Sequence, residues 1–299
     1  MKDWFVTWFK AARAPFLVVS LLPCLLAGAM AYLQGRFDTW IFVAATVGIV
    51  MAHSAADFID DYFDFKKGNL GNKVQQFHDS PLIDGKVTPN QVLAATAICL
   101  TVAFVAGLYI FIQVGTPALA LVAIGAFIVF FYTSPPVKLN YRGLGETALF
   151  MAFGPMIVVG VYIVLTGEYS LGALLVSLMP GVFTMNVGVV SNTYDYLDDI
   201  KSGKRTMSVR FGQANTVRVM AVASALAYVA ILIGVFTGLV PAWALLSLLT
   251  VPLSVDAIRH ASHYNDESHY TPAMTRAIAL SSVATLLLTA GHLITIFTA

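Results

Sequence analysis

The chain has 299 residues, of which 58% are apolar and only 11% charged, with 17 Lys and Arg against 16 Asp and Glu and a net charge of +1. A soluble domain carries roughly 25% charged residues, so this composition excludes an ordinary water-exposed surface, and the near-zero charge excludes a basic face for nucleic acid. Cys24 and Cys99 both sit in apolar runs without Cys or His at metal spacing, so neither a disulfide framework nor a zinc site is expected.

Residues 1–13 mix Trp, Phe, Lys and Arg and run into an apolar stretch without a small-residue cleavage site, which reads as an interfacial lead-in and not as a removed signal peptide. Apolar runs between polar breaks then predict nine spanning helices, near 16–33, 39–60, 91–113, 117–133, 146–165, 171–193, 217–237, 241–258 and 276–298. With nine spans, every Lys and Arg except Arg36 falls in the N-terminal segment or in alternate loops. Basic loops stay on the cytoplasmic side, which places the N-terminus and the long loops after the second, fourth, sixth and eighth helices there. The expected architecture is an all-α, polytopic membrane bundle, with 1–299 as a single domain.

The second predicted helix ends in Asp57-Phe-Ile-Asp-Asp-Tyr-Phe-Asp64, followed by Lys66, Lys67 and Gly68. The sixth ends in Asn192-Thr-Tyr-Asp-Tyr-Leu-Asp-Asp199, followed by Lys201, Gly203, Lys204 and Arg205. An acidic helix end with a Lys/Gly loop thus occurs twice, and the recurrence reads as two related halves facing one central cavity. Asp57, Asp60, Asp61 and Asp64 stack on one helical face, as do Asn192, Asp195 and Asp199, whereas Asp198 lies off that face. A single cluster is equally well read as a solvated helix cap. Two at matching depth repel each other unless a cation lies between them, and Mg²⁺, which takes oxygen ligands and bridges carboxylates to phosphate, fits that need. Lys204 and Arg205, with Lys67, would then meet the remaining anionic oxygens of a diphosphate.

A third segment, Tyr132-Thr-Ser-Pro-Pro-Val-Lys-Leu-Asn-Tyr-Arg-Gly-Leu-Gly-Glu146, is a stiff connection between the fourth and fifth helices. It offers Lys138, Asn140, Tyr141 and Arg142 to an anionic aromatic acceptor or to the diphosphate. The loop 65–90 has the length of a lid, and His53 lies one turn before Asp57. His260, His263 and His269 have no i,i+4 pair and are not expected to be ligands.

These motifs resemble the UbiA superfamily of intramembrane aromatic prenyltransferases over essentially the whole chain. The first Asp-rich motif of that family is matched by Asp60-Asp61-Tyr62-Phe63-Asp64, the second by Asp195-Tyr-Leu-Asp-Asp199-Ile-Lys-Ser-Gly203-Lys204-Arg205-Thr206. The Tyr132-Thr133, Pro136, Tyr141-Arg-Gly-Leu-Gly-Glu146 run, the Gly203–Gly212 run, Gly68 and Arg13-Ala-Pro15 look like the branch that prenylates 1,4-dihydroxy-2-naphthoate for menaquinone. Asp57 and Asp60 replace two asparagines of that branch, and Ser80 stands where it carries a basic residue, so one diphosphate contact is absent or supplied by Lys86. The resemblance implies a polyprenyl diphosphate donor, an aromatic acceptor and Mg²⁺. The metal would be held by Asp60, Asp61, Asp64, Asp195 and Asp199, of which Asp61, Asp64, Asp195 and Asp199 are catalytic. Lys67, Lys138, Arg142, Asn192, Lys204 and Arg205 would bind diphosphate, and His53, Asp57, Asn140 and Tyr141 the acceptor. Sister acceptors are 4-hydroxybenzoate, homogentisate and a glycerophosphate lipid. A secondary transporter is the rival outside the class, disfavoured because the carboxylates sit at helix ends beside basic loops and not at the midplane.

Overall fold

The computed structural model describes residues 2–66, Gly68 and 80–298, so Lys67, Lys73, His78 and Asp79 lie outside the described residues. A short helix α1 (Lys2–Ala11) leads into α2 (Val18–Leu33), α3 (Thr39–Lys66), α4 (Pro89–Val114) and α5 (Thr116–Phe131). The fifth span is built in three pieces, α6 (Gly145–Met151), a π-helical turn at Ala152–Met156, and α7 (Ile157–Thr166). There follow α8 (Leu171–Tyr194), the short α9 (Tyr196–Ser202) and α10 (Met207–Phe211), then α11 (Gln213–Phe236), α12 (Val251–Ser262) and α13 (Tyr270–Thr298).

Among the described residues, eight helical stretches are long and apolar enough to cross a membrane. The remaining expected span, α5, has 16 residues. At 1.5 Å rise per residue that is about 24 Å, short of a hydrocarbon core of about 30 Å. Helix starts follow local chemistry. Thr88 caps α4 by accepting from Gln91 N at 3.3 Å, while Gln91 Oε1 accepts from Thr88 N at 2.8 Å, with Pro89 in the first turn, where its missing N–H costs nothing. Ser170 accepts from Ala173 N at 3.2 Å and opens α8.

Helix α8 lies in the middle, packed on α2, α6, α11 and α13, while α3 and α4 pair along one side. Small residues let backbones meet where membrane helices must pack without a hydrophobic drive. A Cβ on Gly154 would come within 2.6 Å of the Ser177 carbonyl and 2.7 Å of Gly181 Cα, so the π turn and α8 touch backbone to backbone. Pro155, which cannot donate, sits inside that turn.

Candidate active site

The acidic ends of α3 and α8 open onto one cavity of about 740 Å³. Arg13, Asp57, Asp60, Asp64, Asn192, Asp195 and Lys204 line its polar end. Its remaining wall is apolar, with Ala45, Gly48, Phe104, Ile110, Leu121 and Val164 among the lining side chains. From Ala45 to Asp64 along α3 the lined length is about 28 Å at the helical rise.

Helical spacing puts the first motif's carboxylates on one face, where they meet Arg13, Thr133, Tyr141 and Lys204. Asp61 and Asp64 are buried, 5% and 2% exposed. Arg13, whose backbone is left-handed at φ 46° just before the first span, hydrogen-bonds Asp61 and lies 3.9 Å from Asp60. A non-glycine residue held in that region is strained, which is typical of functional sites. Asp60 Oδ1 accepts from the Thr133 hydroxyl at 2.5 Å. Asp64 accepts from the Tyr141 hydroxyl at 3.1 Å and from Lys204 Nζ at 2.8 Å. Lys204 also stands over the Tyr141 ring, 5.4 Å from its centre. Burial alone would push the Lys204 ammonium down, but Asp64, Asp60 and Asp199 more than offset this and hold it above the ordinary lysine value.

In the second motif Asp195 Oδ2 accepts from Ser191 at 3.1 Å, and buried Asp199 accepts from Thr206 at 3.2 Å. Asn192 Nδ2 donates to Glu146 Oε1 at 3.0 Å, and the same oxygen accepts from Met207 N at 2.8 Å. His53 lies between Ser20, 3.1 Å away, and Asp57, 3.7 Å away, with its ring edge-on to Phe153 of the π turn. Asn140 is buried and lines the cavity, and its Oδ1 has no hydrogen-bond partner among the described residues.

Several expected residues are placed elsewhere. Arg142 is exposed and donates to the Pro136 carbonyl, Lys138 lies over the outer Tyr141 ring, and Arg205 is exposed; none of the three lines the cavity. Asp198, off the acidic face as expected, pairs with Lys201 at 3.1 Å. Arg13, Thr133 and Glu146 were not expected as site residues. Glu146 had a signal, being the only acidic residue in its predicted span, and so did Arg13, the last basic residue before the first span. Thr133 had only its place in the run that resembles the family, because its partner Asp60 is 73 residues away.

Among the described residues no three Asp, Glu, His or Cys side chains converge closely enough to hold an ion unaided. The donors nonetheless suit Mg²⁺. Asp60, Asp64, Asn192 and Asp195 bring oxygens to one cavity, and Asp57 Oδ2 is buried without a hydrogen-bond partner among the described residues. An ion that keeps waters and shares phosphate oxygens needs only one or two carboxylates from each side.

The sequence profile of the UbiA prenyltransferase family matches residues 20–283. The 1,4-dihydroxy-2-naphthoate octaprenyltransferase of Bacillus subtilis is 23% identical, covering 98% of this chain and 93% of its own length. The 2-carboxy-1,4-naphthoquinone phytyltransferase of Synechocystis sp. is 25% identical over 95% of this chain and 92% of its own. Among solved structures, an apo UbiA homolog from Aeropyrum pernix K1 superposes with a TM-score of 0.67 at 16% identity, covering 93% of this chain and 97% of that one. A UbiA homolog from Archaeoglobus fulgidus bound to GPP and Mg²⁺ gives 0.59 at 13% identity, over 98% and 100%. With a cavity shaped by two acidic helix ends, the same fold as these structures and a profile match over most of its length, the chain belongs to the UbiA prenyltransferase family, as an integral multi-pass membrane enzyme that transfers prenyl groups.

Proposed function

We propose that the protein transfers a polyprenyl group from an allylic diphosphate to 1,4-dihydroxy-2-naphthoate, in a Mg²⁺-dependent reaction of menaquinone synthesis. The observation that carries this reading is the single cavity with both acidic motifs, Arg13 and Lys204 at one end and an apolar wall along the rest. Near-full-length relatives named for naphthoate substrates support the acceptor.

The diphosphate end of the donor occupies the polar end, and the isoprenoid lies along the apolar wall. Asp60, Asp64 and Asp195, with Asp61 and Asp199 behind them, would hold Mg²⁺, which when bound offsets charge on the departing diphosphate. Lys204, kept cationic by its carboxylate neighbours, adds a fixed positive charge close to the leaving group and costs no reorganisation as charge builds. Breaking the allylic C–O bond leaves a carbocation. The apolar wall around Phe104, Ile110 and Leu121 excludes water that would capture it. The electron-rich ring attacks at the carbon bearing the carboxylate, CO₂ leaves, and aromaticity is restored. His53 and Asp57, side by side in the cavity, and Asn140 with its unpartnered Oδ1 are the groups that would orient the acceptor's hydroxyls.

In this reading the N-terminus and the acidic helix ends are cytoplasmic, which the basic residues beside them support, and 1–299 is one domain. The test is product formation by the purified protein in detergent with Mg²⁺, a labelled polyprenyl diphosphate, and dihydroxynaphthoate, 4-hydroxybenzoate, homogentisate and a glycerophosphate lipid in parallel. Prenylation of dihydroxynaphthoate with CO₂ release is the expected result. Transfer only to another acceptor would overturn the substrate assignment, and no transfer to any would overturn the reaction.

A further inference from the structure

Glu146 is 1% exposed and sits at the start of α6, between the end of α8 and the loop that carries Lys204. Its two hydrogen bonds, from Asn192 Nδ2 and Met207 N, fall on one oxygen, Oε1, while Oε2 is buried without a hydrogen-bond partner among the described residues. A backbone N–H can only donate, so Oε1 is an acceptor there. The Asn192 atom facing it must therefore be the amide nitrogen, whichever way the amide is drawn. Asn192 lines the cavity, and what it has left to offer there is the acceptor Oδ1 and the second N–H of Nδ2.

We propose that Glu146 is a positioning residue. By holding Nδ2 it fixes the plane of the Asn192 amide, so that Oδ1 is the acceptor this side chain offers to the polar end of the cavity. The same carboxylate oxygen anchors Met207 N, three residues beyond Lys204, and so holds the loop from which Lys204 reaches Asp64. Asn192 oriented in this way meets an electropositive group through Oδ1, either a bound cation or an acceptor hydroxyl. This inference deepens the prenyl-transfer reading and rests on it.

The chemistry of the pair gives the test, with the melting temperature in detergent measured beside kcat and KM. Asn192→Asp places a second carboxylate against Glu146, so Tm should fall and kcat drop at least thirtyfold. Adding Glu146→Gln to that variant removes the repulsion between the two facing carboxylates, and the new Asp still shows an oxygen to the cavity; Tm should recover and kcat regain at least tenfold. Asn192→Leu removes the oxygen, and Glu146→Gln should not restore its kcat. A rise in the Mg²⁺ requirement of Asn192→Leu assigns the oxygen to a cation, and a rise in acceptor KM assigns it to a hydroxyl. Recovery of Tm without kcat in the double variant would reduce the pair to a structural contact, and unchanged Tm and kcat in Asn192→Asp would overturn the pairing. If the wild-type protein transfers no prenyl group, the prenyl-transfer reading fails, while the Tm pattern still decides whether Glu146 and Asn192 are coupled. If Asn192→Asp does not fold, folding of the double variant supports the pairing, and failure of both to fold overturns it.

Discussion

Lys204 Nζ stands 2.8 Å from Asp64 Oδ2 across 140 residues of sequence, so the loop after the second acidic motif is tied to the helix that carries the first. Both side chains are almost fully enclosed, at 5% and 2% exposure. Breaking a buried pair strands the remaining charge at a cost of about 3–5 kcal/mol. Lys204→Met should therefore lower Tm and raise the donor KM at least tenfold. The folded-state pKa of Lys204 is raised, so its contribution is complete below the ordinary lysine value and is lost only as pH rises through the raised one. The Tm gap between wild type and Lys204→Met should accordingly stay constant between about pH 6 and 9; a gap that closes over this range would show that the pair is not ionised.

Arg13 faces Asp60 and Asp61 from a left-handed backbone position. Arg13→Gln leaves buried Asp61 without its cation, and turnover should fall at least a hundredfold. Arg13→Lys, which keeps the charge but not the planar fork, should recover part of it. Initial rates at saturating donor separate the two, and equal rates in the glutamine variant and the wild type would remove Arg13 from the site.

Tyr141 contributes a hydroxyl to Asp64 and a ring face to Lys204. Tyr141→Phe keeps the ring and loses only a hydrogen bond to a carboxylate, worth about 1.5–3 kcal/mol. Roughly tenfold or more should be lost in kcat/KM by that reckoning, and Tyr141→Leu should lose more because the ring goes too. Kinetics of the pair of variants check the order.

Gly154 and Gly181 let the π turn and α8 meet. Gly154→Ala drives a methyl into the Ser177 carbonyl, and overpacking of this kind costs about 1–3 kcal/mol. Thermal unfolding in detergent should show a lower Tm, since backbone on both sides cannot yield as a flexible side chain would.

Hydropathy and charge located the spans well because lipid imposes one rule on every helix. The expected 171–193 and the observed Leu171–Tyr194 differ by one residue. The last helix begins at Tyr270, six residues before the expected 276, because the polar turn around Arg276 is held by Asp256 of α12, a partner the linear pattern does not reveal. The break at Ala152–Met156 is invisible to hydropathy, being apolar throughout. Both acidic motifs were legible because carboxylates are costly at the end of an apolar helix, and Lys204 because it follows a flexible Gly203. The basic residues divided for a reason that sequence does not carry: Lys204 turns inward, whereas Arg205, its neighbour, turns out. The histidines show the same limit. His260 and His269 have no helical spacing, yet the turn between α12 and α13 brings their Nδ1 atoms to 2.8 Å.

The central claim is that the two acidic helix ends act together on one diphosphate. Its most direct measurement is Mg²⁺-dependent diphosphate release and prenyl transfer by wild type, Asp61→Ala and Asp195→Ala, each verified as folded by its melting temperature. Loss of both activities in either variant, and in wild type on chelation with recovery when Mg²⁺ is restored, is the result predicted here. Normal turnover in either alanine variant, or full activity in excess chelator, would contradict it.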